Sequence, residues 1–216
     1  MLGTHDLPAF LVASFLLWIT PGPDTMYILA RSIAQGMRAG ALSAVGIGCG
    51  ILIHTAFAAF GLSALLAASA SAFHAVKLAG AAYLIYLGIQ ALRGSGRLTT
   101  PEIAAASPGR IFRQGVLTNA LNPKVAIFFL AFLPQFVDPA AGLGPVPFLV
   151  LGGLFVSGGT LWCLGLAVGA ARATRTIRQN AGLMVWLERL SGCVYIGLGL
   201  NLLRSRPVNP AVVPGH

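Results

Sequence analysis

Hydrophobic positions along the chain are grouped into six long runs separated by short polar segments. The runs fall near residues 7–31, 40–68, 75–93, 111–133, 145–171 and 183–203. Each run supplies about the 20 apolar residues that a helix needs to cross the hydrocarbon layer of a bilayer. Backbone within that layer must satisfy its own polar groups, which favours helices. The pattern therefore predicts an all-α integral membrane protein with six transmembrane helices.

The composition excludes the main soluble alternatives. Hydrophobic residues make up 56% of the chain and charged residues 9%, whereas a typical globular domain carries about 25% charge. The net charge of +9 would suggest nucleic-acid binding in a soluble protein, but no basic stripe with interleaved aromatic residues is present. Cys49, Cys163 and Cys193 lie singly inside apolar runs. We therefore expect no nucleic-acid partner, no metal site and no disulfide.

The distribution of basic residues predicts the orientation in the membrane. The gaps after the first, third and fifth runs, with the turns that border them, hold ten basic residues, namely Arg31, Arg38, Arg93, Arg97, Arg110, Arg113, Arg172, Arg175, Arg178 and Arg189. The opposite side holds three, namely Lys77, Arg204 and Arg206. Cytoplasmic loops of membrane proteins are enriched in Lys and Arg. We therefore expect both termini to face outward.

The first hydrophobic run is predicted to be a retained helix. No Lys or Arg precedes it, no cleavage pattern of small residues follows it, and it continues past two prolines. These features are not those of a secretory signal peptide.

A single substantial linker divides the chain. Residues 94–109 are rich in Gly, Ser, Thr and Pro, and we place a cytoplasmic linker at residues 94–110. It separates a first half at residues 1–93 from a second half at residues 111–206, with a short tail at residues 207–216. Three spans in each half force opposite orientations, so halves of common origin would be inverted repeats.

Two of the runs are interrupted at matching positions. Residues 20–24 read TPGPD and residues 119–124 read NALNPK, and Pro23 coincides with Pro123 at an offset of 100 residues. Proline removes a backbone donor, and irregular backbone within a membrane is tolerated only against protein or a water-filled cavity. The pattern predicts that helices 1 and 4 are broken around a central polar site, with two simple proline kinks as the alternative. The predicted helix-break residues are Pro21, Gly22, Pro23 and Pro123.

Two charged residues lie deep within the runs, beside the breaks. Asp24 is the only acidic residue at such a depth and Lys124 the only basic one. A charge at the bilayer centre costs about 2.5–3.5 kcal/mol, so we expect a functional use, with mutual neutralisation as the structural alternative. A histidine midway along the second run has either a structural or a proton-handling role. The candidate substrate- and proton-binding residues are Asp24, Lys124, Asn122, Asn119, His54 and Thr25.

The glycine pattern indicates packing rather than catalysis. Gly46 and Gly50 are four residues apart, as are Gly165 and Gly169, which predicts close approach of helices. Neither a complete nucleotide-binding loop nor a nucleophile with His and Asp partners is present. We therefore expect no enzymatic activity.

Three segments resemble the signatures of one family. The runs PGPDTMYILARSIAQGMRAGALSAVGIGCGILIH, KLAGAAYLIYLGIQALR and GVLTNALNPKVAIFFLAFLPQFVDP are similar to those of the LysE/RhtB family of amino-acid exporters. The resemblance covers helices 1 to 4 in the expected order. It implies a six-span exporter in the bacterial cytoplasmic membrane, driven by the proton gradient and without a cofactor. The residues that carry it are Pro21, Gly22, Pro23, Asp24, Asn122, Pro123 and Lys124, with His54 less specific.

The resemblance also implies the substrate class and the partners. The expected function is export of small neutral amino acids of the threonine, homoserine or leucine type by proton antiport, because a zwitterion matches one Asp and one Lys without leaving an unpaired buried charge. The alternatives are an exporter of basic amino acids or cations, a channel-like member, an intramembrane enzyme and a structural subunit. The expected partners are the amino acid, protons and the lipid bilayer, with a homodimer as an open alternative.

Overall fold

The computed structural model describes residues 2–93, 104–172 and 181–204. Within these ranges the regular elements are helical, and one isolated antiparallel bridge joins Thr4 to Val137. The helices are α1 (Leu7–Ile19), α2 (Pro23–Gln35), α3 (Met37–Ala56), α4 (Ser63–Ala68), α5 (Ala70–Arg93), α6 (Pro108–Ala120), α7 (Pro123–Ile127), α8 (Val146–Arg172) and α9 (Ala181–Arg204). π-helical turns at Phe57–Leu62 and Phe128–Phe132 continue α3 and α7.

The helix lengths fit a membrane protein. Three segments are long and apolar enough to cross a bilayer, namely Met37–Leu62, His74–Arg93 and Val146–Ala170, and the count rises to five when each of two bent helix pairs is taken as one span. The last helix contains a shorter apolar stretch, Gly192–Arg204. By length and composition, the described residues therefore contain three to five candidate spans, and the six-span arrangement stays a prediction.

The first and fourth hydrophobic runs each form two helices instead of one. The axes of α1 and α2 differ by 50°, and those of α6 and Pro123–Phe136 by 45°. Pro23 and Pro123 begin α2 and α7, a position that proline favours because its missing N–H has no partner there anyway. Asn122 caps α7, since its side-chain oxygen accepts from the backbone N–H of Lys124 at 3.0 Å.

The α3 helix is the centre of the packing. It contacts α2, α6 and α8, while α5 packs along α9 and α1 lies against α8. A single residue, Gly36, joins α2 to α3 with a φ of +81°. Glycine suits this connection because that φ is strained for residues with a Cβ. The direct connection keeps α3 beside both breaks.

The predicted glycine packing is confirmed for one pair and is not found for the other among the described residues. A Cβ on Gly46 would lie 2.4 Å from a backbone oxygen of α6, and one on Gly50 would lie 2.7 Å from a side-chain carbon of α6. Both positions therefore let α3 approach α6 closely. By contrast, no described atom lies within 4 Å of a Cβ built on Gly165 or Gly169, so these two residues serve no close contact within the described chain.

An aromatic cluster lies where the start of the first bent pair meets the end of the second. Phe128 stacks near Phe155 of α8 with ring centroids 5.0 Å apart, and Phe10 of α1 meets Phe136 edge-on at 5.4 Å. The backbone N–H of His5 donates to the carbonyl of Phe136 at 3.0 Å. The start of the first bent pair and the end of the second are therefore held together.

The described residues cover only part of the predicted division into halves. Residues 94–103 of the predicted linker and the tail at residues 207–216 lie outside the described residues. The first helix after the linker begins at Pro108, three residues before the predicted second half.

Candidate functional site

The Asp24 carboxylate lies between the two breaks and is held by the second one. It belongs to the first turn of α2 and is 8% exposed. Its Oδ2 accepts from Nδ2 of Asn119 at 2.8 Å and from Nδ2 of Asn122 at 2.9 Å. The second oxygen, Oδ1, is buried and has no hydrogen-bond partner. The carboxylate lies at the N-terminus of α2, where a negative charge interacts favourably with the helix dipole.

The Lys124 ammonium reaches back from the second break to the first. Nζ donates to the carbonyl oxygens of Leu17 at 3.2 Å and Thr20 at 3.0 Å. These are among the last carbonyls of α1, which have no partner within their own helix. A cation at a helix C-terminus is also stabilised by the helix dipole. Lys124 therefore closes the end of α1 as a lysine cap.

Asp24 and Lys124 do not form a direct ion pair. No contact within 4.0 Å joins the carboxylate oxygens to Nζ, although both residues line the same cavity. Each charge is instead solvated by neutral groups from the opposite break. Simple neutralisation as a contact pair, the structural alternative for these two residues, is therefore not what the structure contains.

His54 contacts the site through the backbone of Asn119 and lies outside the cavity. Its Nε2 lies 3.0 Å from the backbone oxygen of Asn119, and a carbonyl can only accept, so Nε2 carries the hydrogen. This bond satisfies a carbonyl at the C-terminus of α6, while the Asn119 side chain binds Asp24. The His54 ring packs 5.9 Å from Phe129 and does not line the cavity beside Asp24. Its geometry is that of a positioning residue.

A small cavity lies against the two charges. Its walls come from α1, α2, α3, α6, α7 and α8, and its volume is about 30 Å³. A buried water requires roughly 10–15 Å³ of such space, so the cavity suits two or three waters. An amino acid is larger, and its entry requires the helices to move apart. The lining includes Trp18, Asp24, Thr25, Asn119, Lys124, Phe155, Trp162 and Cys163.

The structure adds two residues that the sequence pattern did not select. Trp18 and Trp162 both line the cavity, and the indole Nε1 of each is buried without a hydrogen-bond partner. The available signal was a tryptophan in the middle of an apolar run, since membrane tryptophans concentrate at the two interfaces. A buried indole N–H normally finds an acceptor.

A second polar cluster lies on the other side of the breaks from the aromatic cluster. Arg31 is buried at 3% exposure and donates to Oε1 of Gln35 at 2.8 Å and to Oε1 of Gln114 at 2.7 Å. It also donates to the carbonyl of Ala104 at 3.0 Å, and the Tyr27 hydroxyl donates to a carbonyl of α6 at 2.8 Å. This polar cluster joins α2 to α6 by hydrogen bonds.

The remaining predicted residues have local roles. Thr25 lines the cavity, whereas the Thr20 hydroxyl donates to the carbonyl of Leu16 at 2.6 Å. Within the described ranges, no group of three or more His, Cys, Asp or Glu residues could hold a metal ion. The free thiol of Cys163 lies in the cavity wall. The site therefore offers hydrogen bonding and charge, from one carboxylate, two amides, two indoles, one hydroxyl, one thiol and one ammonium.

Comparison with known proteins identifies the family of the chain. Residues 15–206 match the family described as LysE type translocator. A homoserine/homoserine lactone efflux protein of Salmonella typhi is 33% identical over 199 residues, which cover 92% of this chain and 96% of the relative. An uncharacterized membrane protein of Vibrio cholerae is 33% identical over 203 residues, which cover 94% and 98% of the two chains. No solved structure matches. The chain therefore belongs to the LysE family of membrane translocators.

Proposed function

We propose that this protein is a multi-pass transporter of the bacterial inner membrane that exports small neutral amino acids or their derivatives by proton antiport. Homoserine is the first candidate solute and its lactone the second, because the Salmonella relatives are homoserine/homoserine lactone efflux proteins. The lactone has an ammonium but no carboxylate, so the charge balance of the cavity favours it less than the zwitterion. The similarity covers nearly the whole of both chains. The observation that carries the proposal is the buried Asp24 carboxylate with one unpaired oxygen beside a cavity.

The charge inventory around the cavity favours a zwitterion. One carboxylate and one ammonium line the cavity walls, and their charges cancel. A zwitterionic amino acid leaves that balance unchanged, whereas lysine or arginine would add an uncompensated positive charge in a medium of low dielectric constant. We therefore propose that the transporter exports neutral amino acids in preference to basic ones.

In the proposed cycle, a proton and the solute ammonium compete for Asp24. The ammonium binds the ionised carboxylate when the cavity faces the cytoplasm. When the cavity faces outward, a proton takes that place and releases the amino acid. The protonated form then returns to the cytoplasmic side, so one proton enters for each amino acid that leaves. Asn119 and Asn122 hold the carboxylate in place through both steps.

The six-span, inverted-repeat arrangement is part of the same proposal. Each half begins with a 13-residue helix, followed by a break and a second helix that starts at proline. The third predicted span of the first half contains α5 and that of the second half contains α9, and these two helices pack along each other. An axis between two such halves supports alternating access around a fixed central site.

Substitution of Asp24 by Asn tests the mechanism. The amide keeps the shape and the hydrogen-bonding capacity but does not ionise, so we expect proton-driven homoserine transport to fall to the background of empty liposomes. The measurement uses proteoliposomes with an imposed pH gradient and labelled homoserine. Asp138→Asn is the matched control, because Asp138 is exposed and lies outside the cavity. Wild-type coupling in the Asp24→Asn protein would reduce Asp24 to a structural residue.

A further inference from the structure

We propose that Trp18 and Trp162 are the residues that bind the oxygen-bearing end of the exported solute, through their indole N–H groups. Oδ1 of Asp24 and Oδ1 of Asn119 would accept from its ammonium end. This inference rests on the proposed transport function and deepens it, because it names the groups that select the solute.

The observation behind it is a concentration of unpaired polar atoms at one place. Seven buried side-chain atoms in the described part of the chain have no hydrogen-bond partner. Four of them belong to side chains that line the cavity between the breaks, namely Nε1 of Trp18, Nε1 of Trp162, Oδ1 of Asp24 and Oδ1 of Asn119. An unpaired buried polar group is costly, so such a concentration marks a place where a ligand completes the bonding.

The four atoms divide into two chemical kinds. An indole N–H only donates, while the carboxylate and amide oxygens accept. A primary ammonium brings donors for both oxygens. A carboxylate or a lactone carbonyl brings acceptors for the indoles. The complementary solute is therefore a small compound with an ammonium at one end and an acceptor oxygen at the other.

Lys124 is not assigned to the oxygen-bearing end of the solute, because its ammonium already has partners. Its ammonium is engaged by the carbonyls of Leu17 and Thr20 at the end of α1. It contributes a positive charge to the cavity wall but would have to abandon the lysine cap to bind a carboxylate directly. An indole N–H can donate to a lactone carbonyl as well as to a carboxylate, and the bond to the charged carboxylate is the stronger of the two.

Packing fixes the position of both indole rings. A Cβ on Gly158 would lie 2.1 Å from Cη2 of Trp18, and one on Gly159 would lie 3.1 Å from Nε1 of that ring. The two glycines therefore make the space that Trp18 occupies, and Gly159 itself lines the cavity. Trp162 packs edge-on against Phe15 with ring centroids 5.9 Å apart. Donors held this way are positioned before the solute arrives.

Substitution of each indole by a phenyl ring tests the inference in transport. Trp18→Phe and Trp162→Phe keep an aromatic ring and remove the N–H, so we expect the half-saturating concentration of homoserine and of its lactone to rise about fivefold for each. Trp186→Phe is the matched control, because Trp186 is 59% exposed. The concentration for propylamine, which lacks an acceptor oxygen, should be the same in all four proteins.

Indole resonances provide a readout that does not depend on transport. The chain has three tryptophans, so the ¹⁵N-labelled protein in detergent shows three indole N–H signals, each assigned by its Phe variant. Addition of homoserine to the wild-type protein should shift the signals of Trp18 and Trp162 and leave that of Trp186 in place. Propylamine should move none of them.

The two hypotheses fail in different ways. If the wild-type protein transports neither homoserine nor its lactone and neither compound shifts an indole signal, the proposed function is wrong and this inference falls with it. If the wild-type protein transports them while Trp18→Phe and Trp162→Phe saturate like the wild type and the signals stay in place, the indoles do not bind the solute. Transport itself would then still stand.

Discussion

At the scale of single residues, the site is built from hydrogen bonds that each of the two helix breaks makes to the other. The amides of Asn119 and Asn122 bind Asp24, and Lys124 binds the carbonyls at the end of α1. Each break thus supplies what the other lacks, since one exposes carbonyl oxygens and the other supplies an ammonium. The two charges are both solvated inside the protein without touching each other.

The lysine cap predicts a stability role for Lys124. Lys124→Met removes the only side-chain donor recorded for the Leu17 and Thr20 carbonyls, so we expect unfolding in detergent to become easier by about 2 kcal/mol. Thermal unfolding of the purified protein measures the change. Asp24→Asn combined with Lys124→Met should recover little of it, because the carbonyls stay unpaired. An unchanged melting temperature with weaker binding of carboxylate-bearing solutes would instead make Lys124 a substrate ligand.

At the scale of helices, the α3–α6 contact sets the geometry of the site. α6 ends at the second break and carries Asn119, and α3 carries His54, which donates to the Asn119 carbonyl. Any change in the distance between these helices therefore moves the amide that holds Asp24. Gly46 and Gly50 make the close approach possible, because no side chain separates the two backbones there.

Glycine substitutions test the importance of this contact. We expect Gly46→Ala to lower the melting temperature and to reduce transport, because its Cβ would lie 2.4 Å from the carbonyl oxygen of Phe112. Gly165→Ala is the control in a helix, since no described atom lies within 4 Å of the added carbon, and alanine favours helix by up to about 1 kcal/mol over glycine. Equal melting temperatures for both variants would show that α3 and α6 can separate without cost.

At the scale of the whole molecule, the cavity lies between two clusters of side chains that differ in chemistry. The aromatic cluster formed by Phe10, Phe128, Phe136 and Phe155 lies toward the start of α1, and the polar cluster around Arg31 lies toward the end of α2. α1 and α2 run in sequence through the break, so these clusters lie on opposite sides of the site. Under the proposed alternating access and the proposed orientation, each cluster would open in turn, the aromatic one outward and the polar one toward the cytoplasm.

The orientation that the charge asymmetry predicts can be measured. We expect a cysteine placed at Ser95 or Ser107 in a cysteine-free background to resist an impermeant maleimide applied to intact cells, and to react once the cells are broken. Both positions lie on the side with ten basic residues against three. A cysteine in the N-terminal segment is the opposite control. Labelling of both linker sites from outside would reverse the proposed orientation.

The membrane-protein class and the location of the site could be predicted from the sequence alone. Long apolar runs need no tertiary information to indicate helices in a bilayer, and proline beside a charge marks a break, because both effects act within a few residues. The charged pair Asp24 and Lys124 was conspicuous for the same reason, since charge is rare inside such runs.

Only the tertiary structure decided how those residues are used. The hydrogen-bond partner of a side chain depends on distances across the fold. No local pattern could therefore indicate that Lys124 binds carbonyls of α1 or that His54 donates to the backbone oxygen of Asn119. For Trp18 and Trp162 the sequence offers only an unusual position in the middle of an apolar run, which does not indicate a partner. They become candidate ligands only because helix packing leaves their N–H groups buried beside Asp24 without an acceptor. Hydrophobic periodicity is a property of one segment, whereas hydrogen-bond satisfaction is a property of the assembled molecule.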